Sequence, residues 1–145
     1  MSALKVYSPD FLLSLTSLRD GETKAGQKFQ TLSGNDLSLI AKSTAKFVLF
    51  GIPEDIGVRA NFGIAGASEM WETALKKLCN VQHNDYFDAA NILVFGEIEV
   101  DDFMKQAENA PDEKLRELTA EMDERVAPVI ESIVKAGKEA IVIGG

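Results

Sequence analysis

Three runs of apolar residues, each short enough for a single strand, alternate along the chain with stretches in which apolar residues recur at helical spacing. The runs lie at 46–51, 92–97 and 139–145. Their interiors are apolar at consecutive positions rather than at every second one, which is typical of strands buried on both faces of a parallel sheet. The pattern therefore predicts an α/β fold with the order β-α-β-α-β.

Two helices are predicted between these strands. In 68–78 the apolar residues, including Trp71, share one face, and Ser68 is the predicted N-cap. In 112–136 apolar residues step by three and four, and Gly137 ends the segment. Because proline removes a helical hydrogen bond and clashes with the preceding turn, Pro128 predicts a kink or break near 126–127.

The region before the first strand is predicted to be an N-terminal helical segment, residues 1–45. Ser8 followed by Pro9 indicates an N-cap and a proline at the first helical position, and either Asn35 or Asp36 caps a second, short helix. The remaining residues, 46–145, form the predicted βαβαβ unit.

A polar segment, residues 52–67, follows the first strand and contains glycines at 57, 63 and 66. If the second and third strands flank the first, a switch point forms beside its carboxyl end, which is where open α/β sheets bind ligands. Glycines are equally required wherever the backbone turns tightly. A ligand-facing loop and a purely structural loop both remain open on this evidence.

Composition and charge exclude several classes of function. The chain has 145 residues and a formal charge of −8, with 23 acidic and 15 basic residues. No basic cluster is present, which argues against nucleic-acid binding and against an anionic membrane surface. No apolar stretch is long enough to span a bilayer and no leader is evident, so we expect a cytoplasmic protein.

The single cysteine, the single histidine and the acidic residues after the second strand do not indicate a catalytic or metal site. Cys79 lies at the apolar end of a predicted helix and is expected to be a buried structural thiol. His83 stands alone in an amide-rich link, where exposure to solvent is more common than catalysis. The acidic residues at 97–102 lack the spacing of a calcium loop and predict a solvated acidic loop.

The last residues, Ile141-Val142-Ile143-Gly144-Gly145, form an apolar strand at the end of the sequence. An uncovered parallel edge leaves a row of unpaired backbone groups. We therefore expect the chain to be part of a larger α/β enzyme, and we expect its exposed strand edge to favour self-association.

Several motifs resemble the N-terminal part of the ureohydrolase family, which comprises arginases, agmatinases and formiminoglutamases. The version here is most similar to the bacterial formiminoglutamase-like branch, although Ile64 stands where such sequences often carry arginine. The residues that carry the resemblance are Phe50-Gly51-Ile52-Pro53-Glu54-Asp55-Ile56-Gly57, Arg59-Ala60-Asn61-Phe62-Gly63, Gly66-Ala67, Trp71 and Leu93-Val94-Phe95-Gly96-Glu97.

The resemblance implies a three-layer αβα fold of arginase type, with a parallel sheet. It also implies a homo-oligomeric parent enzyme that holds two manganese ions and hydrolyses a C–N bond of a small guanidino or formimino substrate. Metal ligands in that family begin with a histidine directly after a Gly-Gly-Gly segment, and Gly144-Gly145 matches only its start. We therefore expect no metal and no activity in this chain alone.

Within the resembling region, Arg59 and Asn61 are the candidates for residues near the substrate, and Gly57, Gly63, Gly144 and Gly145 are their expected neighbours. No catalytic residue and no metal ligand is assigned in this chain. The alternative is a non-catalytic α/β module that binds a ligand or another protein. The phosphate-binding motifs G-x-G-x-x-G and G-x-x-x-x-G-K-[ST] are absent, so phosphate binding is not indicated.

Overall fold

The computed structural model describes residues 3–144 and contains one sheet of four strands. In chain order the strands are Leu4–Val6 (β1), Phe47–Ile52 (β2), Ile92–Ile98 (β3) and Glu139–Gly144 (β4). Their order across the sheet is β1-β3-β2-β4. β2 pairs in parallel with both β3 and β4, which confirms the predicted switch point beside β2.

The sheet is mixed rather than wholly parallel, because β1 pairs antiparallel with β3. This strand was not predicted: a three-residue strand is too short for a pattern of apolar positions to distinguish it from a loop. Its pairing is set by tertiary contacts, since Lys5 donates to Glu97 Oε1 at 3.0 Å and the Tyr7 hydroxyl donates to Glu97 Oε2. The N-terminus thereby covers one edge of the sheet.

The helices are Pro9–Ser14 (α1), Ile56–Ala60 (α2), Met70–Cys79 (α3), Asp101–Ala107 (α4) and Asp112–Lys135 (α5), with 3₁₀ helices at Ala25–Gln27, Leu37–Lys42, Ala67–Glu69 and Ala89–Asn91. Ser8 caps α1 as predicted, through a bond from the Phe11 N–H at 3.1 Å. Asp36, one of the two candidate caps, accepts from the Ser38 N–H at 2.8 Å. No helix in the described part of the chain is both long and apolar enough to cross a membrane.

Two helices lie where loops were expected. α2 occupies part of the predicted loop 52–67; five residues with two buried positions, Ile56 and Ala60, are too few to produce a recognisable period. Of the predicted acidic loop 97–102, Glu97 belongs to β3, and Asp101 and Asp102 begin α4, which buries Phe103. Its Asp102 is ion-paired with Arg125, with both oxygen to nitrogen distances at 2.7 Å, and this pairing lowers the pKa of Asp102.

The prediction near 126–127 was a kink or a break, and the break is wrong, because the long helix α5 continues through Pro128. Pro128 lies on the exposed face of α5. At that position the carbonyl of Glu124, which loses its helical partner to proline, can be hydrated by solvent. The Ser132 hydroxyl in turn donates to the Pro128 carbonyl at 2.8 Å.

Alternate residues of β2 pack on opposite faces of the sheet, as the period of a strand requires. Val48 and Phe50 belong to the larger core, which includes residues of α2, α4 and α5, and Phe50 stacks on Phe95 of β3 at 4.8 Å between ring centroids. Leu49 belongs to the smaller core with Trp71 of α3. Helices thus cover both faces of a mixed α/β sheet.

Candidate functional site

The carboxyl end of β2 leads into two buried acidic residues at the switch point of the sheet. Glu54 is 5% exposed and Asp55 is 6% exposed, and they are the only buried carboxylates among residues 3–144. Burial of an ionised carboxylate requires compensating hydrogen bonds or charges. The two residues obtain this compensation differently, and the difference separates a structural residue from a candidate functional one.

Asp55 is held on both of its oxygens. Oδ2 accepts from the Gly66 N–H at 3.2 Å, and Oδ1 lies 3.7 Å from Nη1 of Arg59. Nη2 of Arg59 donates to the carbonyl of Ala107, at the end of α4, at 2.6 Å. Asp55 and Arg59 therefore close the segment 55–66 and attach it to α4.

Glu54 uses only one of its oxygens. Oε2 accepts from the N–H groups of Ile56 and Gly57, at 2.5 and 3.1 Å. No described group donates a hydrogen bond to Oε1. Among residues 3–144, every side-chain polar atom that is fully buried has a hydrogen-bond partner. Oε1 has none, so it is an oxygen that contacts solvent. Burial raises the pKa of Glu54, the two amide bonds oppose that rise, and the charges of Asp55 and Asp123 add to it.

Glu54 opens into a groove of about 340 Å³ between the carboxyl ends of β2 and β4 and helix α5. Asp123 enters the groove from α5, opposite the strand ends. Most of the other lining side chains are apolar. The lining residues are Ile52, Glu54, Gly57, Thr119, Met122, Asp123, Val126, Val142 and Gly144. The groove therefore combines an apolar wall with two carboxylates on different elements.

The structure places the predicted site residues in separate locations. Gly57 and Gly144 line the groove, whereas Arg59, Asn61 and Gly63 are absent from its lining. Arg59 makes the structural contacts described above, and Asn61 is exposed at the C-terminus of α2. A side chain at Gly63 would meet Val58 at 2.5 Å, which explains the glycine by packing alone. Gly145 lies outside the described residues.

The two groove carboxylates were missed by the sequence interpretation. The position of Glu54, two residues after the end of a buried strand, was one available signal. For Asp123 the signal was its place in α5: it directly follows Met122, a buried member of the apolar stripe, and so lies at the border of that stripe. Neither signal separates a groove residue from an ordinary surface acid without the fold.

Cys79 and His83 add no second site. Cys79 is fully buried, as predicted, and burial raises the pKa of its thiol to about 11. His83 is partly buried, and its Nδ1 accepts from the Ala89 N–H at 3.3 Å. Within residues 3–144 no group of three or more His, Cys, Asp or Glu residues is arranged to hold a metal ion, so the described residues do not fit a pair of manganese ions.

Comparison of the chain with models of protein families, with curated proteins and with solved structures finds no match in any of the three.

Proposed function

We propose that this chain is the N-terminal α/β part of a manganese-dependent hydrolase of the ureohydrolase type, acting on a C–N bond of a guanidino or formimino substrate. One observation carries the proposal. The segment with the strongest resemblance to that family, Phe50 to Gly57, runs from the central strand β2 into the groove at the switch point. Ligand sites of open α/β sheets lie at this position.

The arginase-like form of the three-layer fold is part of the same proposal. It is supported by the parallel order β3-β2-β4 and by helices on both faces of the sheet. Because the described residues do not fit a manganese pair, we assign the metal ligands of the proposed enzyme to residues other than 3–144. The contribution of residues 3–144 is then one wall of the substrate site, and we expect the 145-residue chain alone to be inactive.

Two proteins assayed side by side test this function: the complete gene product that contains these residues and the 145-residue chain. Each is incubated with manganese and with N-formiminoglutamate, agmatine or arginine, and release of formamide or urea is measured, with a chelator as control. We expect metal-dependent turnover of one substrate by the gene product and none by the chain. A gene product inactive on all three, or an active chain with manganese bound, would refute the proposal.

An interaction function is the second candidate, and the exposure of β4 favours it. Among the described residues β4 pairs only with β2, and Ile141 and Val142 are 40% and 42% exposed. An open strand edge with apolar side chains is a template for pairing with another chain. We infer that the chain self-associates through this edge, and the homo-oligomeric state expected for the parent enzyme remains a prediction.

Light scattering over a range of protein concentrations tests the edge. Val142→Lys places a charge on β4, and Val81→Lys is the matched control, because Val81 is 41% exposed and lies outside the sheet. We expect concentration-dependent association of the unmodified chain and of the Val81 variant, and monomers for the Val142 variant. A chain that is monomeric at every concentration contradicts the inference.

A further inference from the structure

Strand β4 directs the backbone groups of every second residue away from the sheet. The Glu139 N–H donates to the Lys46 carbonyl of β2 at 3.0 Å, and the backbone groups of successive strand residues point to opposite sides. Ile141 and Ile143 therefore also direct their N–H and C=O groups toward β2. The residues that direct theirs away from β2 are Ala140, Val142 and Gly144. Among residues 3–144 no strand lies on that side, so the edge can accept one further strand.

The sequence of β4 contains none of the features that protect an edge strand from pairing. Such strands commonly carry lysine, proline or a bulge. Between Ala140 and Gly144 there is no charged residue and no proline, and β4 pairs with β2 without a shift of register. Val142 lies opposite Phe50 of the larger core, and Ile141 lies opposite Leu49 of the smaller core. The edge therefore offers apolar side chains on both faces of the sheet.

Two copies of this edge match each other symmetrically in only one orientation. In a parallel pair each bonded residue contacts the neighbours of its register partner, as Glu139, opposite Phe47, donates to Lys46. Two identical edges paired in parallel are therefore offset by one residue, and the pair has no exact two-fold axis. In an antiparallel pair the bonded residues lie directly opposite each other. A second copy of the chain thus fits as an antiparallel strand.

The side chains select the register of that antiparallel pair. If the two-fold axis passes between Val142 and its copy, all the outward-facing residues of β4 bond to one another across the axis. The cross-strand pairs are then Val142 with Val142, Ala140 with Gly144, and Ile141 with Ile143. Branched apolar pairs of this kind stabilise sheets. An axis at Ile141 would instead place the Glu139 carboxylate opposite Ile143.

We propose that two copies of this chain pair antiparallel through β4, in the register centred on Val142, and form one continuous sheet with four strands from each copy. The inference deepens the interaction function given above and rests on it. It names the partner, the orientation and the residues in contact. An interface of one strand pair lies at the small end of specific interfaces, below roughly 1,200 Å². We therefore expect weak association, with a Kd of about 10 μM or higher.

Oxidation of single-residue cysteine variants tests the register. With Val142→Cys the two introduced residues are directly opposite, with Cα atoms about 5.5 Å apart, which suits a disulfide. With Ile141→Cys they are diagonal neighbours at about 7–8 Å, which is too far. The native Cys79 is fully buried, so the unmodified chain is the background control. We expect disulfide dimers of the Val142 variant to form at least about tenfold faster than those of the Ile141 variant, and none from the unmodified chain.

Amide hydrogen exchange at low and high protein concentration provides a readout without cysteines. The amides of Ala140 and Val142 should become protected as the concentration rises, whereas those of Ile141 and Ile143, already bonded to β2, should be protected throughout. Val142→Pro removes an outward N–H and leaves the β2 ladder intact, as edge strands allow, so the Ala140 amide should no longer gain protection. Val142→Thr keeps the N–H and the branched shape, and as the matched control it should retain the gain.

The inference is overturned if the Ile141 variant cross-links as fast as the Val142 variant. It is also overturned if Val142→Pro associates like the unmodified chain, or if protection at Ala140 does not rise with concentration. Its failure is distinguishable from failure of the proposed functions. Association without a Val142 cross-link refutes this pairing alone, whereas a chain that is monomeric at every concentration refutes the interaction function with it. The hydrolase is decided separately, by turnover of the gene product.

Discussion

Strands β2 and β4 are neighbours in the sheet and are both apolar through their centres, yet the structure surrounds them differently. Leu49 and Phe50 of β2 are 3% and 0% exposed. Their ladder partners on β4, Ile141 and Val142, are 40% and 42% exposed. β2 has a strand on each side and helices over both faces, whereas β4 has β2 on one side only among residues 3–144.

The difference shows what a run of apolar residues predicts and what it leaves open. A continuous apolar run indicates a strand whose two faces suit burial. It contains no information on how many neighbours the strand has, because that number depends on segments elsewhere in the chain. The same kind of sequence therefore gives a buried centre at β2 and an accessible edge at β4.

The largest expected difference comes from shortening one side chain in each strand. Leu49→Ala should lower the free energy of unfolding by about 3 kcal/mol, because it leaves a cavity in the smaller core. Ile141→Ala should lower it by less than about 1 kcal/mol, because the partly exposed side chain loses fewer contacts. Urea unfolding at low protein concentration, followed by Trp71 fluorescence, measures both. Equal losses would indicate that the β4 edge is covered in solution.

A glycine in each strand gives the second test. A Cβ at Gly51 would lie 2.1 to 2.4 Å from three atoms of the buried Trp71 ring, whereas a Cβ at Gly144 would lie 3.0 Å from the Ile52 carbonyl oxygen. Gly51→Ala should therefore cost roughly 3 kcal/mol through overpacking. Gly144→Ala should cost less than about 1 kcal/mol, since an edge strand can shift by a few tenths of an ångström. Thermal unfolding of the two variants measures both costs. Similar costs for Gly51→Ala and Gly144→Ala would contradict the expected difference between the central and the edge strand.

These strands also show which parts of the fold can be predicted from the sequence. β2, β3 and β4 are predictable because each is a continuous apolar run of strand length, and α3 and α5 are predictable because each repeats the helical spacing of apolar residues over two or more turns. β1 and α2 are not, because three and five residues contain less than two periods and are fixed by partners distant in sequence, as Lys5 is by Glu97. Of the kink or break predicted near 126–127, the break is absent, and the sequence could not show this because the exposed position of Pro128 is a tertiary property.

The sequence predicts where the candidate site lies in the fold, but it does not predict which side chains line it. The switch point beside β2 follows from the order of the strands, and Gly57 lies in the groove as expected. Arg59 has the chemistry of a ligand-binding residue, but its contact with Ala107 depends on the unpredicted helix α4 and its ion pair with Asp55 on the unpredicted helix α2. Asp123 reaches the groove only because α5 packs beside the ends of β2 and β4. Side-chain roles of this kind depend on packing between elements that are distant in sequence, so the residues around each side chain do not predict its role.

The burial of β2 extends into Glu54, Asp55 and Ile56 of the segment that follows it, and Arg59 tests what holds that segment in place. Arg59→Ala should lower the free energy of unfolding by about 2 kcal/mol, because it removes a charge-assisted hydrogen bond to the Ala107 carbonyl, which keeps only the Ala110 N–H, and the ion pair of the buried Asp55. Asn61→Ala is the matched control two residues away on the exposed end of α2, with an expected change within about 0.5 kcal/mol. In the active gene product, a loss of kcat/KM with Arg59→Ala at unchanged stability would instead support contact with substrate.

The smallest expected effect concerns Glu54, which follows the buried end of β2 and lines the groove between β2, β4 and α5. Burial raises the pKa of Glu54 above its ordinary value of 4.5, so the folded chain binds more protons than the unfolded chain as the pH rises through that value. This contribution to stability is full below the unfolded pKa and is lost as the pH rises through the folded pKa. Glu54→Gln retains an oxygen for the Ile56 and Gly57 amides and does not ionise.

The stability of the Glu54→Gln variant relative to the unmodified chain should therefore increase as the pH rises from about 4 to about 8. Glu131→Gln is a control of opposite sign, because the ion pair with Lys135 lowers the pKa of Glu131. The loss of stability that Glu131→Gln causes at neutral pH should disappear as the pH falls, because Glu131 then becomes protonated in the unmodified chain as well. Urea unfolding of the three proteins across this range measures both trends. A difference between the Glu54 variant and the unmodified chain that does not change with pH would contradict the raised pKa, and would mean that the two amide hydrogen bonds fully offset the effect of burial.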